Sequence, residues 1–341
     1  MSLVRKIRHK GRVYLNAAIH FLFIHRYLRR ARRNQPNARF TAVTLIEHLG
    51  DIVACEPVAR YLREKDPATR IIWLVKREYR ELVSSNPFVD LVVVVHCLTE
   101  KDYLTTWCSF DQVIDLHFLE RYCALCGEAI ARKESLKKSD SDITLQNFYT
   151  YGGILQSMSR FAGLPPLNET PRVYLDEKVK LTVDALLLPK RFVVFHCSSN
   201  TAEKELPGGK WSQLTHFVTK KYEHCVVEVG LDPVLHDVGN MLYRDLTGRL
   251  TILETAEVIR RAALFVGIDS GPAHLANAVG TYGIILLGSY LGFKRYNPFS
   301  GNYSTGSNAS LVYADGPVAN ISVDRVQQSV DAALGRMSPK Q

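Results

Sequence analysis

Between residues 264 and 288 the chain sets an apolar run, Leu264–Ile268, directly before Asp269-Ser270-Gly271. Pro272 and a stretch of helix formers up to Val279 follow, and then a second apolar run, Ile284–Leu287. Each run is too short for a buried helix and long enough for a buried strand. Proline suits the first turn of a helix, where its missing N–H has no partner to lose. The second run reads as the neighbouring parallel strand, completing a strand-helix-strand unit. This unit points to an α/β fold. Ligands in such folds bind outside the carboxyl ends of the strands, where Asp269 to His274 would lie. Ser270 is placed to N-cap the helix, Gly271 lets backbone approach a ligand, and the first helical amides favour an anion, with His274 beside it. Ordinary α/β turns also carry Gly and Asp here, so spacing alone leaves a plain turn and an anion site both open.

The rest of the chain repeats the rhythm. Thr41 to Leu45 reads as a strand that turns through Leu49-Gly50-Asp51 into an amphipathic helix ending near Lys65. Strands are expected at Arg70–Val75, Asp90–Val95 and Phe110–Leu116, with a short helix from Lys76 to Ser84 and a longer one from Ile143 to Leu164. After Leu164-Pro165-Pro166 the pattern restarts, with strands from Arg191 to His196 and from Cys225 to Gly230 and a closing helix from Val323 to Leu334. A length of 341 residues accommodates two such domains. The expected boundaries are 41–165 and 166–335.

The net charge of +9 is concentrated at one end. Residues 1–40 hold eleven Lys and Arg and no Asp or Glu, which leaves 32 basic against 34 acidic side chains in the remainder. Two basic clusters flank the interrupted apolar stretch Val13–Leu28, which is too short and too polar to cross a bilayer. An amphipathic helix lying on an anionic membrane surface through residues 1–33 is the leading expectation. Arg29-Arg30-Ala-Arg32-Arg33 occupies the place of a secretory cleavage site, and a transit peptide, a nucleic-acid arm and a solvated charged helix stay open.

Cys123-Ala-Leu-Cys126 could begin a metal site with Cys108 or His117, but no second pair of this spacing exists. Seven scattered cysteines point instead to buried thiols in a reducing compartment, and no metal site is expected. The polar stretch Arg132 to Asp142 reads as a surface loop that could close over an acceptor.

Three separated motifs, in order, resemble glycosyltransferase family 9, the heptosyltransferases. They are Leu49-Gly50-Asp51 with Pro57; Ser198-Ser199-Asn200-Thr201 leading to Lys204 and Pro207; and Asp269-Ser270-Gly271 with His274. The resemblance covers residues 41–335 and implies a GT-B fold, two facing Rossmann-like domains with parallel sheets and catalysis in the cleft. It also implies inverting transfer of a sugar, heptose being the leading candidate, from a nucleotide-diphosphate donor such as ADP-heptose to a lipopolysaccharide or related glycan acceptor. Asp51 would be the general base, with an N-cap role as the alternative and Glu47 and His48 as runners-up for the base. Lys204, Ser198, Ser199, Thr201, Ser270, Gly271 and His274 would hold the diphosphate, and Asp269 would shape the turn or touch the sugar. No metal cofactor and no nucleic-acid partner is implied, and the enzyme would sit peripherally at the inner face of the inner membrane. One departure stands out: the family carries Glu four residues beyond the strand-end Gly230, and this chain has Val234, with Asp232 or Asp237 as substitutes. A nucleotide-sugar 2-epimerase and a non-catalytic membrane-surface adaptor of the same fold remain alternatives.

Overall fold

The computed structural model describes residues 3–118, 122–123, 125–129, 142–236, 239 and 242–337. The expected loop from Arg132 lies outside the described residues apart from Asp142, and so does Asp237. The chain divides into two compact units, Met1–Tyr151 with Leu155–Leu167, and Gly152–Ile154 with Asn168–Gln341.

The first unit is built on a parallel sheet of β1 (Phe40–Thr44), β2 (Arg70–Val75), β3 (Leu91–Val94) and β4 (Gln112–Asp115), in the spatial order β3-β2-β1-β4. Every residue of β1 is buried, as a central parallel strand covered on both faces requires. An antiparallel pair, β5 (Tyr122–Cys123) and β6 (Glu128–Ala129), stands apart from this sheet. The helices are α1 (Leu3–Asn34), α2 (Leu49–Ala54), α3 (Glu56–Lys65), α4 (Arg80–Ser84), α5 (Leu98–Trp107) and α6 (Ile154–Phe161). The helix expected from Ile143 begins only at Ile154, because Gly152 takes φ +115° and breaks it.

Helix α1 is part of this unit. Val13, Ile24 and Leu28 enter the same core as Phe40, Ile72 and Leu74. Tyr14 and Phe21 meet Trp107 of α5 edge-on, and His20 pairs with the buried Glu100 at 2.7 Å. Gln35, in the stretch after α1, accepts from Arg70 at 2.6 and 2.9 Å. The opposite face of α1 leaves Leu15, Ile19, Leu22 and Phe23 more than half exposed, among the exposed Arg12, Arg26 and Arg30. Among the described residues no helix is long and apolar enough to cross a membrane.

The second unit carries a six-stranded parallel sheet of β7 (Phe192–His196), β8 (Cys225–Glu228), β9 (Tyr243–Asp245), β10 (Leu264–Ile268), β11 (Gly283–Leu287) and β12 (Ala309–Tyr313). Its order is β12-β11-β10-β7-β8-β9, so the chain winds outward in both directions from β7 and β10. The helices are α7 (Glu177–Asp184), α8 (Gly208–Tyr222), α9 (Ile252–Arg261), α10 (Gly271–Val279), α11 (Gly301–Thr305) and α12 (Val323–Met337). Helix α9 is set by a capping box, with Thr251 and Glu254 exchanging side-chain-to-backbone hydrogen bonds. β10 and β11 are buried throughout, as the apolar runs Leu264–Ile268 and Ile284–Leu287 require.

Candidate active site

In a sheet of this winding, the strand order reverses between β7 and β10, and the crevice at their carboxyl ends is where a ligand has room. His196 ends β7 and Asp269 follows β10. The turn after β10 is built as expected, with Ser270 at the N-cap position and Pro272 in the first turn of α10. Ser270 does not cap, however. Its hydroxyl donates to the Ile268 carbonyl at 3.1 Å and lies 3.0 Å from His196 Nδ1. The Ala273 and His274 amides are taken by the Ser270 carbonyl at 3.1 and 3.3 Å.

Asp269 is the centre of the arrangement. Its Oδ2 accepts from Lys204 Nζ at 2.6 Å and from the Tyr296 hydroxyl at 2.7 Å, and its Oδ1 is 3.9 Å from His274 Nε2. Burial pushes the Asp269 carboxyl up, but Lys204, His274 and the two hydrogen bonds outweigh it and hold the group below its ordinary range. The Lys204 ammonium also lies 3.6 Å from the centroid of the Tyr290 ring. Carboxylate and aromatic face together fix a cation on a loop that would otherwise leave it free to swing. His274 packs on Phe299 with centroids 4.7 Å apart. The structure therefore brings Lys204, Asp269, Ser270 and His274 together. Tyr290, Tyr296 and His196 belong to the same cluster and were not anticipated: the two tyrosines lie in a Gly-rich loop whose pattern says nothing of where it folds.

His196 is buried and its pKa is pushed down to about 4, so it is neutral at physiological pH. Gly230, at φ +144°, packs on its ring: a Cβ there would stand 3.3 Å from His196 Cδ2. Ser198, Ser199 and Thr201 lie on the loop between β7 and Lys204, partly buried. The loop is held locally, with the Thr201 amide donating to Ser199 Oγ at 3.1 Å.

The Val234 departure acquires a physical setting. Glu228 at the end of β8 is buried and accepts from the Val234 and Leu235 amides at 2.8 and 3.3 Å and from the Tyr243 hydroxyl at 2.7 Å. That carboxylate is committed to holding the loop. Asp232 is exposed.

In the first unit, Asp51 lies in the first turn of α2, inside the helix and not at its N-cap, which is His48. His48 adopts φ +69° and ψ +104°, a strained conformation for a non-glycine residue, at the turn that carries Asp51. Glu47 pairs with Lys76 at 2.7 Å. Glu56, which the helical pattern places in solvent, is buried and paired with Arg60 at 3.0 Å. Beneath this turn runs a network that the sequence does not announce. Lys101, fully buried, donates to Asp115 at 2.6 Å and pairs with Asp102 at 2.9 Å. Asp115 also accepts from Thr44 Oγ1 at 2.8 Å and meets His117 Nδ1 at 2.7 Å, while His117 Nε2 accepts from the Ile46 amide at 3.1 Å. These bonds fix the carboxyl end of β1 and the loop leading to His48 and Asp51.

Residues 156–303 match the model of glycosyltransferase family 9 (heptosyltransferase). The resemblance is to that family. The matched residues contain Lys204, Asp269, Ser270, Gly271 and His274 and stop short of Asp51. Lipopolysaccharide heptosyltransferase 1 of Campylobacter coli is 20% identical over 297 residues, covering 74% of this chain and 85% of that protein. Two solved structures share the fold across nearly their whole length. ADP-heptose lipopolysaccharide heptosyltransferase II of E. coli superimposes with a TM-score of 0.67 at 15% identity, over 88% of this chain and 99% of that one. The family 9 glycosyltransferase of Veillonella parvula gives 0.65 at 16% identity, over 87% and 97%. The fold is GT-B, with one parallel sheet in each Rossmann-like unit.

Proposed function

We propose that the chain is a glycosyltransferase that moves a sugar, heptose in the first instance, from a nucleoside-diphosphate donor to a hydroxyl of a lipopolysaccharide-like glycan. The observation that carries this reading is the cluster at the β7 and β10 carboxyl ends, where Asp269 and Tyr290 hold Lys204 beside the start of α10, within the residues that match the family model. Breaking a glycosidic bond to a diphosphate develops negative charge on the leaving phosphate. A preorganised ammonium and the Gly271 amide at the helix start stabilise that charge. Gly271, Ser270, Ser198, Ser199 and Thr201 supply short donors at the same end of the sheet, and His274 lies against Asp269. Asp51 takes the proton of the attacking hydroxyl as the new bond forms. The family resemblance supports inversion at the anomeric carbon.

We place the enzyme at the cytoplasmic face of a membrane, without spanning it. The support is α1, whose docked face leaves Leu15, Ile19, Leu22 and Phe23 exposed between arginines. Such a face inserts apolar side chains at the headgroup boundary while cations meet anionic lipid.

The deciding experiment is transfer of labelled sugar from a panel of nucleotide sugars, ADP-heptose included, to lipid-linked glycans, by the native chain and by Asp51→Ala. Transfer lost in the variant with donor binding retained is the expected result. Donor binding with no transfer to any acceptor would favour the non-catalytic adaptor, and conversion of the donor without an acceptor would favour an epimerase.

A further inference from the structure

Three of the buried cysteines converge in the first unit, in the core that receives α1. Cys97 stands at the N-cap position of α5, and Cys123 and Cys126 flank the turn between β5 and β6. All three side chains are buried, and Cys97 Sγ lies 3.7 Å from Cys126 Sγ. Cys123 interacts with both of the other thiols. His9, from the first turns of α1, joins two of them: the ligand atoms of His9, Cys97 and Cys126 all lie within 4.8 Å of one another. The Nε2 of His9 is buried and has no hydrogen-bond partner.

The turn carrying Cys123 and Cys126 has the form of a metal-binding knuckle. It reads Cys-x-x-Cys-Gly, and Gly127 takes φ +71° and donates its amide to the Cys123 carbonyl at 2.8 Å. The Cys126 and Thr99 amides are directed at the Cys123 sulfur. Amides so placed hold a ligating sulfur in position.

We propose that His9, Cys97, Cys123 and Cys126 bind one zinc ion in a closed tetrahedral site that fastens α1 and the β5–β6 hairpin to the start of α5. Tetrahedral zinc with zinc–sulfur bonds of about 2.3 Å separates two sulfur atoms by about 3.8 Å, which matches the Cys97–Cys126 spacing. Three thiolates and one imidazole leave no position for water, so the site is structural and takes no part in sugar transfer. Each thiol releases its proton to solvent on binding and the imidazole ligates neutral through Nε2. The orphaned nitrogen of His9 then gains its partner. Cys108 and His117 are the companions that sequence spacing offers, whereas the residues that stand beside Cys126 are Cys97 and His9.

The test is elemental analysis of the full-length chain purified without chelator, beside Cys123→Ser/Cys126→Ser, His9→Ala and, as a control in the other unit, Cys225→Ser. We expect about one zinc per chain in the native protein and in the control, a loss to below about a tenth in the double variant, and weakened retention in His9→Ala. Because the double variant could fail to fold, the native chain is also stripped and titrated with cobalt(II), whose intense visible bands report tetrahedral thiolate ligation. Appearance of those bands, and their displacement by zinc, supports the site. Absence of zinc together with absence of the cobalt bands overturns the proposal, as does a Cys97–Cys126 disulfide in the protein as isolated. Iron at full occupancy in place of zinc would overturn the choice of ion.

Discussion

Substituting Lys101 with methionine tests whether the buried network beneath the Asp51 turn contributes to stability. The ammonium is fully buried and donates at 2.6 Å to Asp115, itself almost wholly buried. Methionine keeps most of the stem volume and removes the charge, so the loss reads electrostatics more than packing. Removing one partner of a buried ion pair costs about 3–5 kcal/mol, because the other charge is left without compensation. Asp115 would keep Thr44 and His117 as partners, which places the expected loss at the lower end, about 3 kcal/mol at neutral pH. The pH dependence has a definite sign. Burial raises the Asp115 carboxyl, but Lys101 and His117 outweigh it and hold the group far below its ordinary range. Its contribution is therefore complete above the unfolded carboxylate pKa of about 3.9 and is lost as pH falls below that value. In Lys101→Met much of that depression is gone, so the difference between native and variant holds above about pH 4 and shrinks as the pH is lowered below it. Amide hydrogen exchange at β1 and β4 reads this locally, without assuming that two units unfold together. A difference below about 1 kcal/mol at neutral pH, or one that does not change with pH, would refute the claim that a net-stabilising ion pair holds this strand end.

Further expectations attach to the other residues. Lys204→Met should weaken donor affinity by about tenfold or more by calorimetry, while Tyr296→Phe, which removes one of the hydrogen bonds to Asp269, should cost less; equal effects would argue against a direct role for the ammonium. Asp51→Asn should lower the turnover rate about 10²- to 10⁴-fold with little change in donor binding, measured by single-turnover transfer. His196, pushed down to about 4 by burial, should make stability fall as pH drops from about 6.5 towards 4, because the unfolded chain takes up a proton that the folded one refuses; His196→Gln should flatten that part of the pH–stability curve. Ile19→Asp with Phe23→Asp should reduce sedimentation with anionic vesicles several-fold while leaving the melting temperature close to that of the native chain, since both side chains are more than half exposed.

What could be read in advance followed the physics that is local in sequence. An apolar run with no polar interruption marks a strand buried on both faces, and Leu264–Ile268 and Ile284–Leu287 fold as written. Turn chemistry located Asp269, Ser270 and Pro272, because a strand-to-helix turn needs those residue types. The same reasoning assigned Ser270 a capping bond that it does not make: a competing acceptor, the Ile268 carbonyl, and the ring of His196 across the sheet claim its hydroxyl. Glu56 reads as a solvated helix position and is buried against Arg60, and Lys101 is buried against Asp115, since a charged side chain enters a core whenever a partner is already there, and the partner is invisible to periodicity.

The two buried charge clusters share a logic that connects fold to chemistry. Lys101 with Asp115 in the first unit and Lys204 with Asp269 in the second each join a carboxylate just at or beyond the end of a strand to an ammonium from a separate segment. Their exposure separates their roles. Lys101 is sealed, and its bonds are spent on Asp115 and Asp102, so it can only hold the strand end in place. Lys204 keeps part of its surface in reach of solvent, at 12% of its side chain, and it stands on a short loop beside a helix start. An arriving diphosphate can therefore meet that ammonium without first breaking its bond to Asp269, because an ammonium has three donors and the carboxylate uses one. On this account Asp269 is a positioning residue: Asp269→Asn should impair donor binding by loosening Lys204, and retention of full affinity in that variant would mean that the ammonium is held by the Tyr290 ring alone.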